Sequence, residues 1–251
     1  MTARILIIAG SDSGGGAGIQ ADIKTVTMLG GHAMTAITAV TAQNTLGVQA
    51  VHPIPTDIVI AQIESCVSDI GVDAVKIGMI GSAETAEAVA TYLKRLTVPI
   101  VFDPVIVATS GSVLADARTI SAFHALMAVA SVVTPNLPEL NALGGTMPIL
   151  RHGCHLLVKG GHGEGDEIVD QLLSATGLLH EIRGKRIDTT STHGTGCTLA
   201  SALACGLGQG MTVIEAFERA VSFVRMALIE APGLGHGHGP MGHQFVTDFQ
   251  E

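Results

Sequence analysis

The alternation of short β-branched runs with helix-patterned stretches restricts this chain more than any other feature. ARILIIA leads into a glycine loop, SDSGGGAG, and a helical stretch from about Ile19 to Leu29, after which HAMTAITAVTAQ returns as strand. TLGVQAVHPIP reads as an edge strand. Asp57–Ile70 sets Val59, Ile63, Val67 and Ile70 on one helical face, and DAVKIG follows as a buried strand. The rhythm continues through a helix over Ser82–Leu96, the strand PIVFD, a loop VIVATSGS over 105–112 and a helix over Asp116–Ala128. Then come the strand SVVTP, a short helix around Pro138–Leu143 and the strand HLLVKG. EIVDQLLS and GLLHEIRGKRIDT read as a hairpin at one sheet edge, and helices over Thr195–Leu207 and Val213–Glu230 follow. Parallel strands joined by crossover helices must be covered on both faces, so the expected class is α/β, a mainly parallel central sheet with a small edge β element. No linker or low-complexity run divides the 251 residues, which read as one domain over 1–251.

In an open parallel sheet, ligands bind beyond the carboxyl ends of the strands. Polar clusters gather there: Ser11–Gly18, Gln43 and Asn44, Lys76–Met79, Asp103, Asn136–Glu139 and Lys159–His162. Each alone reads as a turn or cap, and their coincidence at one edge marks a site. DTTSTHGTGCT, over Asp188–Thr198, then runs into TLASALACGLGQG, so Gly194–Cys197 should open a helix. A helix start offers unpaired N–H groups and a positive dipole end, and glycine admits an anion close to them. Phosphate is the natural guest, although an isolated GTG also makes a plain tight turn. A thiol at a helix N-terminus is expected to have a lowered pKa and to serve as a base, whereas a buried cysteine would be inert. Gly16–Ala21 also fits the GxGxxA dinucleotide pattern, but no acidic residue ends the next strand, and no GxxxxGK[ST] occurs. The phosphate site therefore belongs to another architecture.

The formal net charge of -9 disfavours nucleic acid and acidic membranes, so a nucleotide would need local cations. Cys66, Cys154, Cys197 and Cys205 are scattered without CxxC or zinc spacing, which suits a reducing compartment. MTARILIIAG is too short an apolar run for a signal peptide, and the uncharged stretch from Thr189 to Ile214 is broken by His193, Gln209 and glycines. The expectation is a cytoplasmic protein with no membrane or nucleic-acid partner.

Seven segments together resemble the ribokinase-like kinases, and within them the hydroxymethylpyrimidine/phosphomethylpyrimidine kinases of thiamine biosynthesis. They are AGSDSGGGAGIQADIKT (Ala9–Thr25), ITAVTAQNTLGV (Ile37–Val48), KIGM (Lys76–Met79), TPNLPE (Thr134–Glu139), KGGH (Lys159–His162), THGTGCTL (Thr192–Leu199) and GHGHGP (Gly235–Pro240). The resemblance implies a three-layer α-β-α ribokinase-like fold. It also implies transfer of the γ-phosphoryl of ATP, with Mg²⁺, to 4-amino-5-hydroxymethyl-2-methylpyrimidine and then to its monophosphate, by a homodimer. Carried over residue by residue, it makes Gly194, Thr195, Gly196 and Cys197 the anion hole and catalytic turn. Gly10, Asp22, Gln43, Met79 and Val105 become the substrate site, with Gln43 bonding the pyrimidine edge. Asn136, Lys159, Gly161 and Thr192 would bind the nucleotide, and Asp103 and Glu139 would serve Mg²⁺.

Asp22 also reads as a helix-dipole partner, Asp103 as a cap and Met79 as core. LNALGGTMPILRHGC, between Glu139 and the HLLVKGGH strand, is shorter than the full helix the family carries there, but about a dozen residues still connect parallel strands. His236, His238 and His243 lack cysteine or carboxylate partners at ligand spacing, so the resemblance makes the tail a cover near the nucleotide rather than a metal site. A pyridoxal-type kinase and a non-catalytic binding protein on the same fold are the alternatives. Intact GTGC, NxxE and KGG weigh against the latter.

Overall fold

A computed structural model of the chain describes residues 2–108, 111–162 and 165–247; Thr109 and Ser110 of the expected 105–112 loop lie outside these. One nine-stranded sheet runs in the order β3-β2-β1-β4-β5-β6-β7-β8-β9. Strands β1 (Arg4–Asp12), β2 (His32–Asn44), β4 (Ala74–Ile77), β5 (Ile100–Phe102), β6 (Val132–Val133) and β7 (His155–Val158) are parallel. Antiparallel strands flank them, β3 (Gly47–Pro53) at one edge and the hairpin β8 (Glu167–Ser174) and β9 (Gly177–Lys185) at the other.

Two apolar layers follow from the period of two along β1. Leu6 and Ile8 join a core with Val59 and Ile63 of α2 (Thr56–Asp69), Val89 of α3 (Ala83–Leu93) and Phe123 of α4 (Ala117–Met127). Ile5 and Ile7 face the other way, onto α1 (Gly18–Met28), α7 (Thr195–Gly208) and α8 (Val213–Ile229). The sequence expectations hold for these elements, with two differences of detail. Ile70 is 41% exposed rather than on the buried face, because α2 ends at Asp69 and the chain turns through Gly71. The shortened crossover forms α5 (Leu137–Ala142) and the five-residue α6 (Thr146–Leu150), and Leu143, Ile149, Leu150 and Cys154 bury into the first core.

Helix α7 is the most enclosed: Thr198 through Gly206 are all buried. It is therefore a core helix, and no helix among the described residues is long and apolar enough to cross a membrane. The C-terminal segment is fastened to it, with Thr198 Oγ1 and His243 Nε2 2.8 Å apart and both residues buried. Burial, with the nearby Lys24 ammonium adding to it, pushes the His243 imidazole down to about 4. Because the unfolded chain takes up this proton near pH 6.5, the native state holds fewer protons between about 6.5 and 4. The contribution is full above pH 6.5 and is lost as pH falls, amounting to about 3 kcal/mol. Urea unfolding across that range should show a shallower acid loss for His243→Gln, which does not titrate, than for the natural chain. Parallel pH profiles would remove this role from His243.

Candidate active site

The carboxyl ends of β1, β2, β4, β5, β6 and β7 open on one edge, and the end of each carries a polar group. β1 breaks register between Ala9 and Ser11, at Gly10, and ends in Asp12. Asp12 shapes the loop that follows: its carboxylate accepts from the N–H groups of Gly14 (2.8 Å), Gly16 (3.0 Å) and Ala17 (2.8 Å), and His193 Nε2 lies 3.1 Å away. Burial opposes its charge, but the bonds from His193, Ala17 and Gly14 outweigh that and hold the carboxyl below its ordinary range.

Helix α7 opens against this loop. Gly194 is left-handed at φ 85°, and a Cβ there would strike the Gly16 carbonyl, so the position excludes any side chain. The first helical bond from beyond the turn joins Thr198 N–H to the Gly194 carbonyl at 2.9 Å, leaving the N–H groups of Gly196 and Cys197 without intrahelical acceptors. They line a cavity of about 180 Å³ together with Gly10, Gln43, Met79, Val105, Lys76 and Lys159. A second cavity, of about 380 Å³, lies between the β8–β9 hairpin and α8, with Thr192, Leu199, Val221, Arg225 and His238 in its walls. Lys159, Gly161, Thr195 and Gly196 belong to both.

Two lysines set the electrostatics where the cavities meet. Lys159 donates to Asp103 Oδ1 at 2.7 Å and lies 3.8 Å from Glu139 Oε2. Burial disfavours its ammonium, but the Asp103 and Glu139 carboxylates hold it above its ordinary value, while burial pushes the Glu139 carboxyl up against the pull of Lys159. Asn136 and Glu139 form a capping box on α5: Glu139 N–H donates to Asn136 Oδ1 (2.9 Å) and Asn136 N–H to Glu139 Oε2 (2.8 Å). The NxxE motif thus holds its own helix start and aims both side chains at the cavity.

Lys76 is fully buried and donates to both oxygens of Asp22, at 2.9 and 2.8 Å; Ser201 donates to Asp22 at 2.7 Å. Asp22 is therefore not in the cavity wall where a substrate-binding residue was expected. It stands behind Lys76, which is. Cys197 departs further from expectation: burial pushes its thiol up to about 11, and the nearby Lys76 ammonium only partly offsets this. The other residues expected at the site do converge: Gly10, Gln43, Met79, Val105, Asn136, Lys159, Gly161, Asp103, Glu139 and Gly194–Cys197 line the first cavity, and Thr192 the second. Asp12 and Lys76 belong to clusters the sequence places at this edge, but neither they nor His193 were given a role in it. The sequence signal for the first lay in SDSGGG, an acidic residue placed to collect the amides of a glycine loop.

No group of three or more histidine, cysteine, aspartate or glutamate side chains that could hold a metal occurs among the described residues. The backbone of the His-rich tail is tied to its neighbours: the His238 N–H donates to the Thr45 carbonyl at 2.9 Å and the Gly239 carbonyl accepts from the His193 N–H at 3.1 Å.

A family model described as phosphomethylpyrimidine kinase matches residues 12–242. The hydroxymethylpyrimidine/phosphomethylpyrimidine kinase of Rhizobium meliloti is 45% identical over 260 residues, spanning 97% of each chain. A thiamine biosynthesis multifunctional protein of Corynebacterium efficiens is 42% identical over 97% of this chain, which spans only 35% of that larger protein. Among solved structures, the ADP complex of Bacillus subtilis pyridoxal kinase superposes with a TM-score of 0.89 at 34% identity, covering 97% of this chain and 98% of that one.

The raised thiol makes a measurable difference. Alkylation of Cys197 by iodoacetamide, followed by peptide mass spectrometry, should be slow at pH 7 and rise about tenfold per pH unit towards pH 10. A rate that levels off below pH 8 would show a resident thiolate.

Proposed function

The chain belongs to the phosphomethylpyrimidine kinase family, and from that premise we propose which of its residues carry out the two phosphoryl transfers. The reaction is ATP-dependent phosphorylation of 4-amino-5-hydroxymethyl-2-methylpyrimidine, then of its monophosphate, in thiamine biosynthesis. The observation that carries the reading is the junction of two cavities at Thr195, Gly196 and Lys159. The smaller cavity takes the pyrimidine between Gly10 and Met79 on one side and Val105 on the other, with Gln43 at its polar edge. The larger takes ATP, with Thr192 and Gly161 beside its phosphates, and the γ-phosphoryl group crosses at the junction.

Phosphoryl transfer asks for alignment and charge neutralisation more than for covalent chemistry. The N–H groups of Gly196 and Cys197 receive the anionic oxygens, Lys159 faces them, and Lys76 adds a cation behind the turn. Asp103 and Glu139 supply hard carboxylate oxygens beside the phosphate path, and Asn136 a neutral one. That donor set fits Mg²⁺ held by one or two carboxylates and substrate phosphates. Mg²⁺ bound there would neutralise phosphate charge; Asp103 and Glu139 would hold it, and the capping box keeps Glu139 in place.

Cys197 takes the proton of the alcohol in the first transfer. General-base assistance is typically worth about 10²–10⁴-fold, but a thiol at about 11 is thiolate only on the order of 10⁻⁴ of the time at pH 7, so the net gain there is small and grows with pH. The second acceptor, a phosphate monoester with a pKa near roughly 6, arrives ionised and needs no base. Cys197→Ala should therefore flatten the rise of the first rate between pH 7 and 10 while leaving the second step nearly unchanged. Gly196→Val should abolish both steps, because its side chain enters the anion hole beside Lys159 Nζ. Separate assays of the half-reactions decide: equal depression of both by Cys197→Ala would make the thiol a packing group. Pyridoxal belongs in the same substrate panel because of the close superposition on a pyridoxal kinase, and the aminopyrimidine alcohol is expected to be preferred.

The enzyme acts as a cytoplasmic homodimer built from the single domain over 1–251. Support for the dimer comes from the β2–β3 edge, where Val40, Leu46 and Val51 are 46%, 65% and 45% exposed. Light scattering at micromolar concentration should give twice the 25.7 kDa chain mass, and Val51→Lys should lower it. A monomeric mass for the natural chain would overturn the dimer.

A further inference from the structure

His193 is buried at the meeting point of the glycine loop, the end of β2, the anion hole and the C-terminal segment, and the proposed reaction gives it no task. Its Nε2 lies 3.1 Å from Asp12 Oδ2 and 3.0 Å from the terminal amide of Gln43. A carboxylate only accepts, so the ring nitrogen facing Asp12 carries hydrogen. A ring N–H cannot also accept from an amide NH₂. The Gln43 atom that faces His193 must then be the carbonyl oxygen, since amide oxygen and nitrogen are told apart by the bonds they make.

The rest of the network agrees with that assignment. Thr41 Oγ1 donates to the Ser11 carbonyl at 2.9 Å, and the other Gln43 amide atom lies 3.2 Å from the same hydroxyl. With the NH₂ on that side, Thr41 accepts from it and no donor confronts a donor. We propose that Asp12 and His193 are a positioning pair that locks the Gln43 amide with its carbonyl towards His193 and its NH₂ towards Thr41, and so determines which heteroaromatic ring the cavity prefers.

This rests on the reading of the smaller cavity as the pyrimidine site. An amide has two acceptor lone pairs and two N–H donors, so internal bonding leaves one of each for a ligand. A 4-aminopyrimidine offers the complement, an amino donor beside a ring-nitrogen acceptor, in the manner of the bidentate pairing of glutamine with adenine. A 3-hydroxypyridine lacks that pair of groups. If the amide could turn freely, its order of donor and acceptor would be lost and so would the preference.

The test is a double-mutant cycle of His193→Leu and Gln43→Leu, with ligand affinities from calorimetry on the folded proteins. Three ligands are titrated: the aminopyrimidine alcohol, the same alcohol lacking the 4-amino group, and ATP. His193→Leu should weaken the aminopyrimidine roughly tenfold to a hundredfold, as expected for loss of a bidentate pair, and leave the deamino analogue and ATP within about twofold. The double variant should bind the aminopyrimidine no worse than Gln43→Leu alone. His193→Gln, which can still offer an N–H to Asp12, should recover most of the loss and keeps the test open if His193→Leu does not fold. Additive losses, or equal losses for the deamino analogue, would overturn the positioning role. Failure of the natural chain to bind the aminopyrimidine would instead overturn the site reading, and that is seen before any variant is compared.

Discussion

A lysine ammonium and an aspartate carboxylate with no access to solvent hold the site side of this fold together. Lys76 comes from the central strand β4, Asp22 from α1, and Ser201, which completes the contact, from α7. Taking two charges out of water costs several kcal/mol per ion, and a buried pair often stabilises no more than apolar residues of the same volume. Removing one partner is another matter, because the remaining charge is left uncompensated. The pair therefore acts as a register device: α1 and α7 must arrive together at β4, and in doing so they bring the glycine loop and the GTGC turn into contact. The close approach of Gly194 to the Gly16 carbonyl is the consequence at the surface of the site.

The same arrangement reconciles an acidic protein with an anionic substrate. At a formal net charge of -9, the long-range field repels ATP. Within the cavity, where carboxylates still outnumber lysines, Lys76 and Lys159 set positive charge beside a helix N-terminus, each with carboxylates that keep its charge in place. Low dielectric inside the fold strengthens these short-range interactions where surface charges are screened.

Legibility in the sequence followed the range of the interactions involved. The two apolar layers were readable because Ile5–Ile8 alternate between them and the helices carry their own 3.6 period. Residues at the ends of strands were readable for the same reason, since topology alone delivers Gln43, Asp103, Asn136 and Lys159 to one edge. Asp22 was misplaced because its partner, Lys76, is 54 residues away and only the packed helices bring the two together. The pairing of Asp12 with His193, 181 residues apart, was hidden by the same distance. Asn136 and Glu139 carried a purely local signal, the capping box, which by itself says nothing of phosphate.

The thiol of Cys197 shows how two sound rules rank when they conflict. A helix N-terminus favours an anion by about 0.3–1 kcal/mol in exposed settings and about 2 in partly buried ones. Raising a cysteine from 9.0 to about 11 corresponds to about 3 kcal/mol against the thiolate, and this is what remains after the favourable field of Lys76 has acted. Desolvation wins because Cys197, half-buried in the cavity wall, is backed by the buried run Thr198–Gly206, with Asp22 and Asp103 close enough to add repulsion. A helix start that emerges into solvent can lower a thiol pKa; one that begins inside the protein leaves its dipole to act on whatever charged group enters. In the function proposed for this site that group would be the transferring phosphate, with the turn serving as an anion hole in both steps and Cys197 as a base only to the extent that pH supplies its thiolate.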